Sequence, residues 1–149
     1  MTVFFNTLWV NHPAIKGIIN PCSTNGKINF SNQCAIRMSV CLDKSGVSLT
    51  SFNGAKCYPG HGHSQSHVLR AEELASWIEK QNSLFGTPTK KKKVKSTDYK
   101  NKKGIVLFKN FWGAGNQGDH IDLWNGAVMT RGAPSYFSLS KEVWFWELK

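Results

Sequence analysis

Two stretches carry residue types that can do chemistry together. In "NFSNQCAIRMSV", residues 29–40, the polar run Ser31, Asn32 and Gln33 leads into Cys34, where an apolar pattern begins. Cys34, Met38, Cys41 and Leu42 recur at helical spacing, with Arg37 and Ser39 between them. Cys34 is therefore expected in the first turn of a helix, with Ser31 or Asn32 as N-cap. In "QGDHIDLWNG", residues 117–126, His120 opens a strand-like alternation. On a strand, His120 and Asp122 share one face while Ile121 and Leu123 share the other, as does Asp119. Each stretch also has an ordinary reading: an inert buried thiol for Cys34, and a solvated polar face for His120 and Asp122. Together they suit a nucleophile and its base. Unpaired N–H groups at a helix start lower a thiol pKa. A strand packed on that helix would bring an imidazole within reach of the sulfur. The same N–H groups would then face an oxyanion.

The elements that must position these groups come in two blocks. "TVFFNTLWVNH" suits a first helix ended near Pro13, and "KGIINPCSTNGKINF" a loop with turns at Asn20-Pro21 and Asn25-Gly26. The Cys34 helix runs to about Leu42 and is closed by Gly46, and residues 47–66 are irregular. "LRAEELASWIEKQ" is the clearest helix: Leu74, Trp77 and Ile78 share a face, Glu72 and Glu73 suit its first turn and Lys80 its last. After Gly86 and Pro88 comes a Lys-rich loop over 88–104. "GIVLFKNFWG", "DHIDLWNGAVM" and "EVWFWELK" then read as short strands between Gly-rich turns, an antiparallel meander. Helices followed by strands make an α+β protein with N-terminal helices packed on a C-terminal antiparallel sheet.

Composition bounds the rest. The 149 residues make one domain, 1–149, long enough to bury a core. A hydrophobic content of 40%, with 6 Trp and 9 Phe, is that of a globular chain. No apolar run approaches the length of a membrane span. The apolar start "MTVFFNTLWVNHPA" lacks the charged n-region of a signal peptide. The net charge of +10 is concentrated: residues 90–103 hold 8 of the 19 Lys and Arg, and without them the chain carries +3. Nucleic-acid domains spread their charge along the element that meets the phosphates. We therefore read a solvated loop and expect no nucleic-acid or membrane partner. The competing class is a non-enzymatic module that binds anions or nucleic acid through those lysines.

Four blocks, "NQCAIRMS" at 32–39, "HVLRAEELASWI" at 67–78, "KKGIVLFK" at 102–109 and "GDHIDLWNG" at 118–126, resemble the fourth family of type VI secretion amidase effectors in order and spacing. The resemblance covers nearly the whole chain. It implies a papain-like, NlpC-type fold and a peptidoglycan-cleaving toxin made in the producer's cytoplasm. Type VI secretion machinery would deliver it to a rival's periplasm. It would cut the D-glutamyl–meso-diaminopimelate bond of stem peptides, and a cognate periplasmic immunity protein would block it. Cys34 would be nucleophile and His120 its base, with no metal or cofactor. The family carries an Asp eleven residues after its His, where this chain has Arg131. Arg cannot accept an imidazole N–H, so Asp122 is the expected third group, with Asn125, Ser138 or a backbone carbonyl as alternatives. Gln33 and Arg131 are the expected substrate-binding residues.

The run "HGHSQSH", with His61, His63 and His67, is expected to lack a nearby Cys or carboxylate ligand; we read it as a loop bordering the groove rather than a metal site. A periplasmic destination permits a disulfide, and Cys41–Cys57 is the expected pairing, against buried free thiols. Trp144, Phe145 and Trp146 alternate on a strand and are expected to pack the sheet.

Overall fold

The computed structural model describes residues 2–57, 67–110 and 118–149. Its first helix, α1 (Phe5–Asn11), buries Phe5 and Leu8 and stops one residue short of Pro13. A hairpin follows, β1 (Ser23–Thr24) on β2 (Lys27–Ile28), turning through Asn25 and Gly26. Both turn residues have positive φ, 52° and 78°, the conformation a two-residue hairpin turn requires.

The next helix, α2, spans Cys34–Lys44. Its end is a Schellman motif: Gly46 takes φ +86°, its N–H bonds the Asp43 carbonyl at 3.1 Å and the Val47 N–H bonds the Leu42 carbonyl at 2.9 Å. At its start neither Ser31 nor Asn32 is the N-cap; Gln33 is, without a side-chain cap. Asn32 still contributes, because its Oδ1 accepts the Cys34 N–H at 3.2 Å. Arg37 and Ser39, which the spacing leaves between apolar positions, are also buried. Arg37 donates to the Ile19 carbonyl at 2.7 Å. Ser39 donates to the Ile36 carbonyl at 2.8 Å and accepts the Val68 N–H at 3.2 Å. The helix is thus enclosed on nearly every side. Helix α3 (Ala71–Lys80) buries the predicted Leu74, Trp77 and Ile78, and the short α4 (Asn82–Phe85) ends at Gly86.

Four antiparallel strands follow: β3 (Thr89–Lys91), β4 (Gly104–Lys109), β5 (His120–Trp124) and β6 (Glu142–Glu147). Their order is β3-β6-β4-β5, which corrects the simple meander. Strand β4 is apolar on both sides from Gly104 to Phe108, so it takes a central place with neighbours on both edges. The polar Thr89–Lys91 and the His/Asp strand take the edges. The helix-side face packs Ile105, Leu107, Ile121, Leu123, Trp144 and Trp146 against Leu8, Met38 and Leu74. The opposite face packs Val106, Phe108, Trp124, Val143 and Phe145 against Tyr99 and Phe137 of α5 (Tyr136–Leu139). The face of β5 bearing His120 and Asp122 is therefore not solvated. Trp144, Phe145 and Trp146 are all buried in the sheet's two faces.

The Lys-rich segment is only partly a loop. Lys90 pairs on β3 with Trp144 of β6, lies 3.8 Å over its indole ring and meets Glu79 at 2.8 Å. Val94 and Tyr99, which closes a 3-10 turn at Ser96–Tyr99, enter the second core. Lysines on an exposed edge strand discourage pairing with another chain.

The Cys41–Cys57 disulfide is corrected as well. Cys41 sits in the helix-side core and donates its thiol to the Leu8 carbonyl at 3.1 Å. Cys57 lies in a separate cluster with Cys22 and Ile36, and Cys41 and Cys57 are not joined by a disulfide. No helix among the described residues is long and apolar enough to cross a membrane.

Candidate active site

Helix α2 packs its first turn against strand β5, which puts Cys34 beside His120. His120 opens the strand at 7% exposure and packs against the rings of Phe108 and Tyr136, whose centroids lie 6.1 and 5.4 Å away. Its Nε2 meets Oδ2 of Asp122 at 2.8 Å. That leaves Nδ1 for the sulfur. The Cys34 thiol is itself 3.7 Å from the Asp119 carbonyl.

Asp122 is 1% exposed, yet its two oxygens are fully engaged. Besides His120, it accepts the N–H groups of Leu123 at 2.7 Å, Thr130 at 3.3 Å and Arg131 at 3.0 Å. The Thr130 hydroxyl donates to Oδ1 as well. Burial alone would raise the Asp122 pKa, but the bond and charge of His120, with His12 and Thr130, hold it below the ordinary carboxylate value. For His120 burial pulls the pKa down. The hydrogen bonds to Asp122 and Cys34, and the negative charge of both, outweigh it and raise the imidazole to about 9. At neutral pH His120 is thus an imidazolium held between a carboxylate and a sulfur.

A second histidine stands behind the carboxylate. Nδ1 of His12, at the end of α1, accepts the Ala14 N–H at 3.2 Å, so the ring proton sits on Nε2. Nε2 faces the Thr130 hydroxyl at 3.3 Å. Burial lowers His12 to about 4, with Arg37 and His120 adding to that effect against Asp122. The chain therefore runs from neutral His12 through Thr130, Asp122 and His120 to Cys34.

The other predicted residues divide. Arg131 is exposed, and its backbone N–H, not its side chain, serves Asp122. Gln33 is corrected as a substrate contact: it is 1% exposed, its Oε1 accepts the Cys22 N–H at 2.9 Å, and its Nε2 donates to the carbonyls of Cys22 and Phe30 at 3.0 and 3.1 Å. Asn125 spends its amide oxygen on Ala127 and Val128, and Ser138 donates to Ser135, so neither reaches His120. The carboxylate of Asp119 accepts the Asn110 N–H at 2.9 Å. Burial and nearby Glu72 raise its pKa, against that N–H and Lys109. His61 and His63 lie outside the described residues, whereas His67 is buried beside Cys22 and Cys57, which corrects the reading that no cysteine lies near the His run.

Sequence reasoning missed His12, Thr130 and Arg37. Burial lowers the Arg37 pKa, while negative charge on Cys34 and Asp122 supports its charged form. Only Arg37 carried a signal, lying one turn beyond the nucleophile candidate. A groove of about 970 Å³ runs along α3 past Phe52, Arg70, Glu73 and Trp77 and reaches Asn32 and Asp119, which flank the sulfur and the imidazole in sequence. The arrangement suits acyl transfer: a sulfur nucleophile, a proton carrier, an orienting carboxylate and an adjoining groove.

Comparison with known proteins gives the same family. The chain is similar to the type VI effector Tae4 from Enterobacter cloacae, with 20% identity over 100% of this chain and 98% of that one and a TM-score of 0.76. It is similar to a chain of the type VI effector–immunity complex Tae4–Tai4 from Salmonella Typhimurium, with 21% identity over 98% of both chains and a TM-score of 0.75. The shared architecture is a papain-like, NlpC-type α+β fold. No curated protein matches the chain. The family model of Tae4, type VI secretion system (T6SS) amidase effector protein 4, matches residues 30–146, so the chain belongs to the type VI secretion amidase effector family 4.

Proposed function

We propose that this protein is an antibacterial cysteine hydrolase that cleaves the D-glutamyl–meso-diaminopimelate amide bond of peptidoglycan stem peptides. The observation that carries the chemistry is the buried chain Cys34–His120–Asp122, closed by a 2.8 Å bond. Cys34 Sγ, as the thiolate whose proton rests on His120 Nδ1, attacks the amide carbonyl carbon. His120 gives its Nδ1 proton to the leaving amine, and an acyl-enzyme remains. Water then attacks the thioester as His120 takes its proton, and the acid departs. Asp122 holds the imidazole in place and stabilises its positive charge. The Cys34 N–H, which Asn32 accepts at 3.2 Å in the resting site, would turn to the developing oxyanion.

The substrate assignment rests on family membership. An exposed Arg131 beside the Asp122 network suits a substrate rich in carboxylates. Type VI machinery delivers the protein to the target periplasm, and a Tai4-like immunity protein blocks it there; the effector–immunity complexes among the similar structures support that partner. The test is a digest of purified Gram-negative sacculi by the protein and by Cys34→Ala, resolved by mass spectrometry. Release of fragments ending in D-glutamate by the wild type alone is expected. Equal products from both proteins, or none from either, would overturn the proposal.

A further inference from the structure

Away from the Cys34–His120 site, three irregular segments bring two thiols and an imidazole together. Cys22 precedes the β1–β2 hairpin, and Cys57 and His67 flank an isolated bridge between Lys56 and Val68. One ligating atom from each lies within 4.8 Å of the others, and all three residues are buried. Both sulfurs already accept N–H groups: Cys57 from the His67 backbone at 3.2 Å and Cys22 from the Asn29 amide at 3.5 Å. Such bonds stabilise sulfur in its thiolate form and are the outer support expected around thiolate ligands. Two thiolates and an imidazole suit a soft, tetrahedral cation better than Mg²⁺ or Ca²⁺, which take oxygen ligands.

We propose that Cys22, Cys57 and His67 form a structural site for a divalent cation of the zinc class. Binding releases one proton from each thiol and forms two metal–sulfur bonds and one metal–nitrogen bond, with a solvent water as fourth ligand and no change of oxidation state. The site braces the nucleophile: Gln33, immediately before Cys34, holds both backbone groups of Cys22, and Ile36 of α2 packs on both cysteines.

The test uses reduced, metal-free Cys34→Ala protein, which removes the sulfur of the other site. Titration with Co²⁺ should give one equivalent of tetrahedral d–d bands and thiolate-to-metal charge transfer. Both should be lost in Cys34→Ala/Cys22→Ser and kept in Cys34→Ala/Cys41→Ser. X-ray absorption of the Zn²⁺-loaded protein needs no further substitution; it should show sulfur scatterers at about 2.3 Å beside nitrogen at about 2.0 Å. Absence of charge transfer at stoichiometric Co²⁺, or a coordination shell without sulfur, would overturn the site.

Discussion

Asp122 reaches back along its own strand to His120, Oδ2 to Nε2 at 2.8 Å, and the two side chains lie on one face because they are two residues apart. Three backbone N–H groups and the Thr130 hydroxyl hold the carboxylate while it holds the imidazole. Asp122→Asn keeps the shape but removes the charge. Turnover should fall by a factor on the order of 10²–10⁴. Wild-type kcat/KM should also decline above about pH 9, as His120 loses its proton. The variant's alkaline limb should move to lower pH. The same raised pKa stabilises the fold fully below the ordinary value of 6.5, and that stability is lost as pH rises through about 9. An unchanged kcat and an unmoved limb in a pH–rate series would place the orienting group elsewhere.

Arg131 separates backbone from side chain. Arg131→Ala keeps the N–H that bonds Asp122 at 3.0 Å, so kcat should hold. If the guanidinium meets a substrate carboxylate, KM should rise about tenfold. Arg131→Pro deletes the N–H and should lower kcat instead. Steady-state kinetics on a soluble stem peptide distinguish the two; a fall in kcat from the alanine variant would refute the division.

His12 sets an acid limit on stability. Its pKa falls from 6.5 to about 4 on burial, so the folded state takes up its proton later than the unfolded chain. The contribution is complete above 6.5 and is lost as pH falls through about 4, on the order of 3 kcal/mol in total. His12→Gln should flatten the stability profile in that window. Urea melts across the window would check this; parallel wild-type and variant slopes would contradict it.

Gly104 is held by packing rather than by a turn. A Cβ there would lie 1.8 Å from the Trp146 backbone oxygen. Gly104→Ala should therefore force β4 and β6 apart and cost at least about 1–3 kcal/mol. Thermal melts measure it; a loss below a few tenths would mean the strands part without cost.

What was legible in the sequence was local. The 3.6-residue period around Cys34 and Leu74 located α2 and α3, and the alternation of "HIDLW" put His120 and Asp122 on one face. The resemblance of the Cys and His blocks supplied the family. What was hidden depends on distant contacts. His12 meets Thr130 across 118 residues, and the N–H groups that hold Asp122 leave no trace in side-chain identity. Gln33 looked available beside Cys34, but the loop at Cys22 folds onto it. The cysteine pairing failed for the same reason: helix α2 turns Cys41 toward Leu8 and away from Cys57. Strand order was hidden because alternation fixes which side chains share a face, not which strand lies beside which.

The place of β6 between β3 and β4 governs the order in which the protein can come into being. During synthesis, Cys34, His120 and Asp122 all leave the ribosome before Glu142–Glu147. Until that strand emerges, β3 has no strand neighbour and β4 only one, and neither sheet core is complete. The Phe5 N–H then bonds the Lys149 carbonyl at 2.8 Å, joining the first helix to the residues beyond β6. A nascent chain thus carries Cys34, His120 and Asp122 before it has the sheet whose edge strand holds the last two beside the first.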